Sequence, residues 1–401
     1  MSRRLRLLWV SHSPLLETGF GRVTRELLNR LAMLGSIDVA CLGLSAPGVG
    51  SPGADQRFKI YPGLLADCGQ SVIEAAVNDF RPDLVVTLAE LWMIAWLAQH
   101  PVRHQAKWLA YLPVDGGPFY PPWSSTLKET TGVVAMSRFG AEILKSGAGS
   151  KPLWTLYHGV DPNVFRPLDH RVQLKRHPRF EGKFIVGCVA RNQPRKNIPA
   201  LVEAFAMLSA RYADLHLYLH CAPSESGYDL VHLLKRFGLQ GKADLPPPAH
   251  SIVAGLADSQ LNELYNLFDV MALPTCAEGF GIPILESMAA GVPVVATDCS
   301  ACTELVRGRG ELAAVKTRIT LGENILEQAI VDVDDLARCI ERLYRSPPLR
   351  AQYSEAGRAF AESLSWDRLI PQWLDVLGAA AGVDLRSSNH KANPVAAAPV
   401  V

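Results

Sequence analysis

The residues with the clearest chemical meaning lie in one segment, which reads AEGFGIPILESMAAGVPVVATD. Glu278 precedes a Gly279-Phe280-Gly281 turn, and Pro283 is placed to open a helix. Glycines let the backbone approach an anion closely, and the first-turn N–H groups of a helix favour negative charge by about 0.3–1 kcal/mol. The segment therefore predicts a phosphate-binding site.

A second carboxylate, Glu286, follows in the same segment, and we expect it on the first turn of that helix. A carboxylate there does not contact a phosphate favourably, but it can accept hydrogen bonds from ribose hydroxyls, as acidic residues do in dinucleotide sites. Taken alone, Glu278 has the simpler interpretation of a solvated loop carboxylate. Its place beside a predicted phosphate site favours a functional role.

Another glycine turn, Gly19-Phe20-Gly21, follows the first predicted strand and opens a helix. It nearly fits a dinucleotide-binding fingerprint. However, Thr24 stands where the third glycine is required, and the next strand, IDVACLGL, ends without an acidic residue. A nicotinamide site is therefore not expected.

Asp115 lies in VDGGPFYPPW, directly after the predicted strand KWLAYLP. An aspartate at the end of a strand can bind a substrate hydroxyl or take its proton. It can equally cap the turn that follows. The sequence leaves both interpretations open.

The elements that position these residues follow a regular alternation of β-branched or leucine-rich runs with helical patterns, which is typical of parallel α/β units. Strands of a first sheet are predicted at 5–11, 37–44, 83–89, 107–113 and 132–137. Strands of a second sheet are predicted at 184–190, 215–221, 269–275 and 292–298. The fold class is therefore α/β, with two doubly wound parallel-sheet domains.

A segment rich in Pro, Gly and charge separates the two series and predicts a hinge near 160–182. The predicted divisions are an N-terminal domain at 1–165, a C-terminal domain at 166–365, a helix at 366–384 and a disordered tail at 385–401. Packing of the helix back on the first domain is one option. Two such domains face a central cleft, and ligands of open parallel sheets bind beyond the carboxyl ends of the strands.

Composition limits the classes of partner. The 401 residues carry 40 Lys and Arg against 39 Asp and Glu, which gives a net charge of +1. This net charge does not favour nucleic acid as the main binding partner. Eight scattered cysteines favour a reducing compartment. Apolar runs fall short of the ~18 residues that a membrane span needs, so we expect a cytoplasmic protein. Peripheral membrane contact through RVTRELLNRLAML is an alternative that is not favoured.

Two patterns resemble metal sites. Asp332-Val333-Asp334 looks like a metal-binding Asp-x-Asp, but it directly precedes a helical pattern and predicts a helix N-cap. Cys299 and Cys302 have metal-like spacing without a second pair nearby, which favours ordinary packing. No metal site is expected.

The segment with Glu278 and Glu286 resembles the C-terminal Glu-x7-Glu motif of glycosyltransferase family 4. FIVGCVARNQPRKN is similar to the strand and basic loop of that family, and YHGVDPNVFRP and LYNLFDVMALPT resemble its interdomain segment and the stretch before the motif. Their order and spacing cover most of residues 1–380. The resemblance implies the two-domain GT-B fold.

The resemblance also implies residue roles. It places Arg191 and Lys196 where family members bind the donor diphosphate, although both otherwise fit surface charge after a strand. It implies that Gly19 and Gly21 face the diphosphate from the opposite wall of the cleft. Many members carry a histidine near the reacting sugar where this chain has Asp115, so this departure leaves the acceptor chemistry open.

The implied activity is a retaining, metal-independent transfer, with hexosyl transfer favoured, from a UDP-, GDP- or ADP-sugar to an acceptor hydroxyl that the sequence does not identify. Arg191, Lys196 and the amides of 279–281 would stabilise the leaving diphosphate, while Glu278 orients the sugar and Glu286 holds the ribose. The main alternative is a sugar-nucleotide epimerase on the same fold. A phosphorylase or a non-catalytic binding protein is less favoured.

Overall fold

A computed structural model describes residues 4–45, 57–224, 226–247, 255–321 and 325–386. The chain forms two compact units. The first comprises 1–114, 119–159 and 364–401, and the second comprises 115–118 and 160–363. The segment 115–118 therefore belongs to the second unit, although its neighbours on both sides belong to the first.

The first unit contains a seven-stranded parallel sheet with the order β3-β2-β1-β4-β5-β6-β7. Its strands are β1 Leu5–His12, β2 Ile37–Ser45, β3 Lys59–Leu64, β4 Leu84–Leu88, β5 Lys107–Leu112, β6 Gly132–Ala135 and β7 Leu153–Thr155. The strands β1, β4, β5 and β6 are almost entirely buried, as expected for a parallel sheet covered on both faces.

Helices connect these strands and cover the sheet. They are α1 Gly19–Ala32, α2 Ile73–Phe80, α3 Leu91–Ile94, α4 Trp123–Lys128 and α5 Arg138–Ala148, with 3₁₀ turns at Ala95–Gln99 and Pro101–His104. Phe119 packs on α5, where an added Cβ at Gly147 would lie 2.0 Å from its Cζ atom. Gly147 is therefore required by close packing and not by its backbone conformation.

The second unit contains a six-stranded parallel sheet with the order β10-β9-β8-β11-β12-β13. Its strands are β8 Phe184–Val189, β9 Leu215–His220, β10 Ala243–Asp244, β11 Val270–Leu273, β12 Val294–Thr297 and β13 Gly310–Ala313. β8 and β11 are adjacent central strands, so the loops that follow them lie at the same edge of the sheet.

An antiparallel hairpin follows this sheet and consists of β14 Val315–Leu321 and β15 Leu326–Val331. The helices of the second unit are α6 Arg171–Leu174, α7 Ile198–Ser209, α8 Leu230–Arg236, α9 Asp258–Leu267, α10 Ile282–Ala289, α11 Ser300–Val306, α12 Val333–Arg345 and α13 Pro347–Ser363, with a 3₁₀ turn at Pro194–Lys196.

The last helix, α14 Trp366–Ala381, belongs to the first unit, where it packs on α1 and β5. Trp373 is buried, and its ring meets those of Trp9 and Tyr111 edge-to-face at centroid distances of 5.8 and 5.0 Å. Such aromatic pairs contribute about 0.5–1.5 kcal/mol each beyond their area burial. This cluster fixes the helix on the sheet.

The α/β fold with two parallel sheets is confirmed, and every predicted strand is present. Six strands and the order of both sheets were not predicted from the sequence; the six strands are β3, β7, β10, β13, β14 and β15. Most of the predicted tail at 385–401 lies outside the described residues. Among the residues described, no helix is long and apolar enough to cross a membrane.

Substitution of Gly147 tests the packing in the first unit. Ala at a helical Gly usually stabilises by about 0.5–1 kcal/mol, whereas overpacking costs about 1–3 kcal/mol. We expect Gly147→Ala to lower the free energy of unfolding, because its Cβ would lie 2.0 Å from the Phe119 ring. Gly35→Ala is the control, since it meets no atom within 4 Å. Urea unfolding that finds Gly147→Ala as stable as the wild type would contradict this packing.

Candidate active site

The predicted site residues of the second unit lie at the carboxyl ends of β8 and β11. The loop after β8 carries Arg191 to Lys196, and the loop after β11 leads to Glu278. The two loops are hydrogen-bonded to each other, because the backbone N–H of Cys276 and the hydroxyl of Thr275 both donate to the carbonyl oxygen of Arg195, at 2.8 and 3.2 Å. The structure thus brings the basic loop and the glutamate loop together.

Lys196 and Glu278 form a buried ion pair in which Lys196 Nζ donates to Glu278 Oε1. Their exposed fractions are 8% and 5%. Burial alone raises the pKa of Glu278, but Lys196, Arg195 and hydrogen bonds outweigh it and hold that pKa below its ordinary value of 4.5. For Lys196, burial outweighs the attraction of Glu278, so the pKa of the ammonium lies below its ordinary value of 10.5.

Arg195, which the sequence analysis did not single out, joins this pair to Asp115. Its guanidinium lies 3.3 Å from Glu278 Oε2 and 3.3 Å from Asp115 Oδ2, and it donates to the carbonyl oxygen of Ala277. Asp115, Arg195, Lys196 and Glu278 therefore form one group, the charge cluster, with two positive and two negative side chains. A planar guanidinium suits this role because it offers five donors in a fixed arrangement.

The backbone around Glu278 is also fixed. Its N–H donates to Ser300 Oγ at 2.8 Å, and its carbonyl oxygen accepts from the N–H of Ala301 at 3.4 Å. Ser300 has φ +44°, in the left-handed region that non-glycine residues seldom adopt. Such strain persists only where the surrounding structure imposes it, so Ser300 is part of what holds Glu278 in place.

The glycine turn leads directly into a helix, as the phosphate-site hypothesis requires. Gly281 has φ +101° and immediately precedes α10, with Pro283 as its second residue. Between Glu278 and the helix, Gly279 and the buried Phe280 complete the turn.

The expected position of Glu286 on the first turn of that helix is wrong. Because α10 begins at Ile282, Glu286 is its fifth residue and lies on the second turn. It is buried and accepts a hydrogen bond of 2.8 Å from the hydroxyl of Tyr265. Tyr265 lies on α9, and nothing in the sequence distinguishes it from an aromatic residue of the core.

The basic loop is held from its other side by Asn192, which is fully buried. Its side-chain amide donates to the carbonyl oxygens of Ala222 and Tyr228, at 2.9 and 2.6 Å, and accepts from the N–H of Tyr228 at 2.8 Å. The segment after β9 is thus tied to the loop that carries Lys196. The neighbouring Arg191 is exposed.

Asp115 pairs with Arg195 in the manner described above, and within the described residues its carboxylate makes no hydrogen bond to a turn N–H. The segment that carries it is fixed further along, where the carbonyl oxygen of Gly117 accepts from the N–H of Glu327 at 2.7 Å. The geometry therefore gives no support to the turn-capping interpretation of Asp115.

Gly19 and Gly21 are placed in the first unit, at the start of α1. Thr18 is the N-cap of that helix, and its hydroxyl accepts from the N–H of Gly21 at 3.0 Å. A Cβ at Gly21 would lie 2.3 Å from the carbonyl oxygen of Leu16. Close backbone approach is thus a structural reason for glycine at position 21.

The two metal look-alikes have structural explanations. Asp332 is the N-cap of α12 and accepts from the N–H of Asp335 at 2.9 Å, as predicted. Cys299 and Cys302 are buried free thiols. Across the described ranges, no group of three or more His, Cys, Asp or Glu side chains is arranged to hold a metal ion.

A model of a known protein family matches most of the second unit. Residues 169–360 match the model of the family described as glycosyl transferases group 1. Among curated proteins, the chain is 29% identical over 220 residues to an MMP alpha-(1->4)-mannosyltransferase of Mycolicibacterium hassiacum, covering 54% of this chain and 46% of that protein. It is 30% identical over 239 residues to a D-inositol 3-phosphate glycosyltransferase of Salinispora arenicola, covering 55% and 48%. The matches thus span about half the length of these relatives.

Solved structures share the architecture over nearly the whole chain. Anabaena HepE in complex with UDP-glucose aligns with a TM-score of 0.72 at 18% identity, covering 94% of this chain and 100% of that one. Sucrose-phosphate synthase from Thermosynechococcus elongatus aligns with a TM-score of 0.72 at 17% identity, covering 94% and 98%. The chain therefore has the GT-B fold of these structures.

Proposed function

We propose that this protein is a family 4 glycosyltransferase that moves a sugar, a hexose by preference, from a nucleoside-diphosphate sugar to an acceptor hydroxyl. In this proposal the transfer retains the anomeric configuration and needs no bound metal, and the donor carries UDP, GDP or ADP. The observation that carries it is that the two cations of the charge cluster, Arg195 and Lys196, lie beside the start of α10, because cations and a helix N-terminus both favour an anion and here they share one edge of one sheet.

The relatives support this proposal by the activities that their names give. One is described as a mannosyltransferase and another as an inositol phosphate glycosyltransferase. The HepE structure contains UDP-glucose, which supports a nucleotide-sugar donor for proteins of this fold. The epimerase alternative is not favoured, since these named activities are transfers.

In this proposal the ammonium of Lys196, which is already paired with Glu278, also binds a second anion. Its pKa lies below the ordinary value because burial lowers this pKa by more than the Glu278 carboxylate raises it. A diphosphate at the same ammonium would add the missing negative charge. We infer that the donor shares Lys196 with Glu278, and that Arg191 and the N–H groups at the start of α10 take up the remaining charge of the leaving group.

Glu278 then has a separate task. Its backbone is fixed by Ser300 and its carboxylate by Arg195 and Lys196, so it presents a rigid hydrogen-bond acceptor to a sugar hydroxyl. Glu286, oriented by Tyr265, is the proposed ribose partner. Asp115 is the residue proposed for the acceptor side, where its carboxylate meets Arg195 and can bind or deprotonate a hydroxyl.

Replacement of Glu278 tests the proposed function. We expect Glu278→Gln to lower kcat for sugar transfer by about 10²–10³-fold, the usual loss for one well-placed polar group in an active site. The assay uses UDP-, GDP- and ADP-sugars with a chelator present, and NMR of the product reports the anomeric configuration. Asp332→Asn is the matched control, because Asn also caps helices. Unchanged turnover in Glu278→Gln would remove this residue from the site.

The same variant has a pH-dependent effect on stability. Because the folded-state pKa of Glu278 is lowered, its ionised form stabilises the fold above the ordinary value of 4.5, and this contribution is lost as the pH falls through the folded-state pKa. Removal of one partner of a buried ion pair costs about 3–5 kcal/mol. Urea unfolding at neutral pH and near pH 3 should show that the penalty of Glu278→Gln shrinks in acid. A constant penalty would contradict the ion pair.

A further inference from the structure

The β14–β15 hairpin is attached directly to the candidate site. The outer edge of β15 makes two hydrogen bonds, from Ala329 N–H to the carbonyl oxygen of Cys276 at 2.9 Å and from Glu327 N–H to that of Gly117 at 2.7 Å. Cys276 lies two residues before Glu278, and Gly117 lies two residues after Asp115. The hairpin therefore holds both carboxylate-bearing segments of the charge cluster.

The register of the hairpin determines which side chains share its inner face. Arg318 lies opposite Ala329, and directly opposed residues of an antiparallel pair point to the same face. Ala329 is 1% exposed, so this face lies against the body of the unit. Arg318 starts from the same face but remains exposed. Arg318 therefore lies directly across the hairpin from Ala329, the residue whose N–H is bonded to Cys276.

Arg318 and Glu278 also act electrostatically on the same thiol. The thiol of Cys299, whose Sγ lies 3.6 Å from the carbonyl oxygen of Cys276, is affected by both charges. Its pKa is lowered chiefly by a hydrogen bond with Cys302, against burial, while the Glu278 carboxylate raises it and the Arg318 guanidinium lowers it. Both charged groups thus lie close to one thiol.

Arg318 differs from Lys196 and Arg195 in having no carboxylate partner among the described residues. Lys196 is paired with Glu278, and Arg195 is shared between Glu278 and Asp115. An arginine that is exposed, uncompensated and beside a predicted phosphate site is well suited to a bidentate contact with phosphate oxygens.

We propose that Arg318 is a further phosphate-binding residue of this site, which contacts a phosphate group of a substrate bound beside Glu278. This inference rests on the proposed function. The phosphate belongs either to the diphosphate of the donor or to a phosphorylated acceptor, since both present the same oxygens to the guanidinium. The hairpin would then have two tasks, to hold the site and to supply a cation to it.

The experiment compares the full-length wild type with Arg318→Ala, Arg318→Lys and Lys316→Ala. Lys316 is the matched control, an exposed cation on the same strand at the bulge between Val315 and Thr317. Isothermal titration with UDP, GDP and ADP at low ionic strength forms the donor arm. In the acceptor arm, inorganic phosphate is titrated into protein saturated with the tightest of these nucleotides.

In the donor arm, Arg318→Ala should weaken nucleotide binding about tenfold or more, with partial recovery in Arg318→Lys and a change under about twofold in Lys316→Ala. If the phosphate belongs to the acceptor, nucleotide binding stays unchanged, and Arg318→Ala instead abolishes phosphate binding to the saturated protein. Either result supports the proposal and identifies the source of the phosphate.

The proposal is overturned if Arg318→Ala equals the wild type in both arms, or if Lys316→Ala loses as much affinity as Arg318→Ala. Failure of the proposed function gives a different result, namely that the wild type binds none of the three nucleotides. In that case pyrophosphate titrated alone decides whether Arg318 binds phosphate. Thermal unfolding of each variant confirms that the exposed substitutions leave the fold intact.

Discussion

The second unit depends on one costly interaction, the burial of Lys196 and Glu278 against each other. The removal of two charged groups from water costs several kcal/mol per ion, and their attraction offsets this only when the geometry is held closely. The surrounding structure supplies that geometry. Arg195 takes the second carboxylate oxygen, Ser300 fixes the backbone of Glu278, and Asn192 fixes the loop that carries Lys196. Such pairs are a poor source of stability, because the cost of desolvation offsets most of their attraction.

The same burial bears on the proposed binding of a diphosphate at this site. Two positive and two negative side chains balance the charge cluster, so the fold is not strained by an excess of one sign. Burial nevertheless outweighs the attraction of Glu278 and lowers the pKa of Lys196. In the proposed function, an incoming diphosphate shares the ammonium of Lys196, while Arg195 and Ser300 keep Glu278 in place for a sugar hydroxyl. Binding of the leaving group and orientation of the sugar are thereby linked through one ammonium.

The proximity of Glu278 to a glycine turn could be predicted because its signals are local, whereas Arg191 and Lys196 were assigned by the family resemblance. Consecutive residues are enough to recognise a glycine turn before a helix, with Glu278 ahead of it. They are also enough to recognise a strand that is followed by a basic loop. Arg195 could not be singled out, since a third cation beside Arg191 and Lys196 reads as surface charge until a partner is known. Its partner, Asp115, is 80 residues away and is joined to it only by the fold.

Other features needed the three-dimensional structure for different reasons. The turn on which Glu286 lies depends on whether α10 starts at Ile282, as observed, or at Pro283, as expected from the sequence, and helix starts are uncertain by a residue or two. The β14–β15 hairpin alternates charged and apolar residues weakly and carries no Asn-Gly or Asp-Gly turn signal at its centre, so its strands were not expected. The hydrogen bonds of β15 to Cys276 and Gly117 are contacts distant in sequence that no local pattern encodes.

The most direct measurement is a crystal structure of this protein with a nucleoside diphosphate bound. The account predicts phosphate oxygens within hydrogen-bond distance, about 2.7–3.2 Å, of Lys196 Nζ and of N–H groups at the start of α10. A diphosphate bound away from both elements, with the Lys196 to Glu278 pair unaltered, would contradict it.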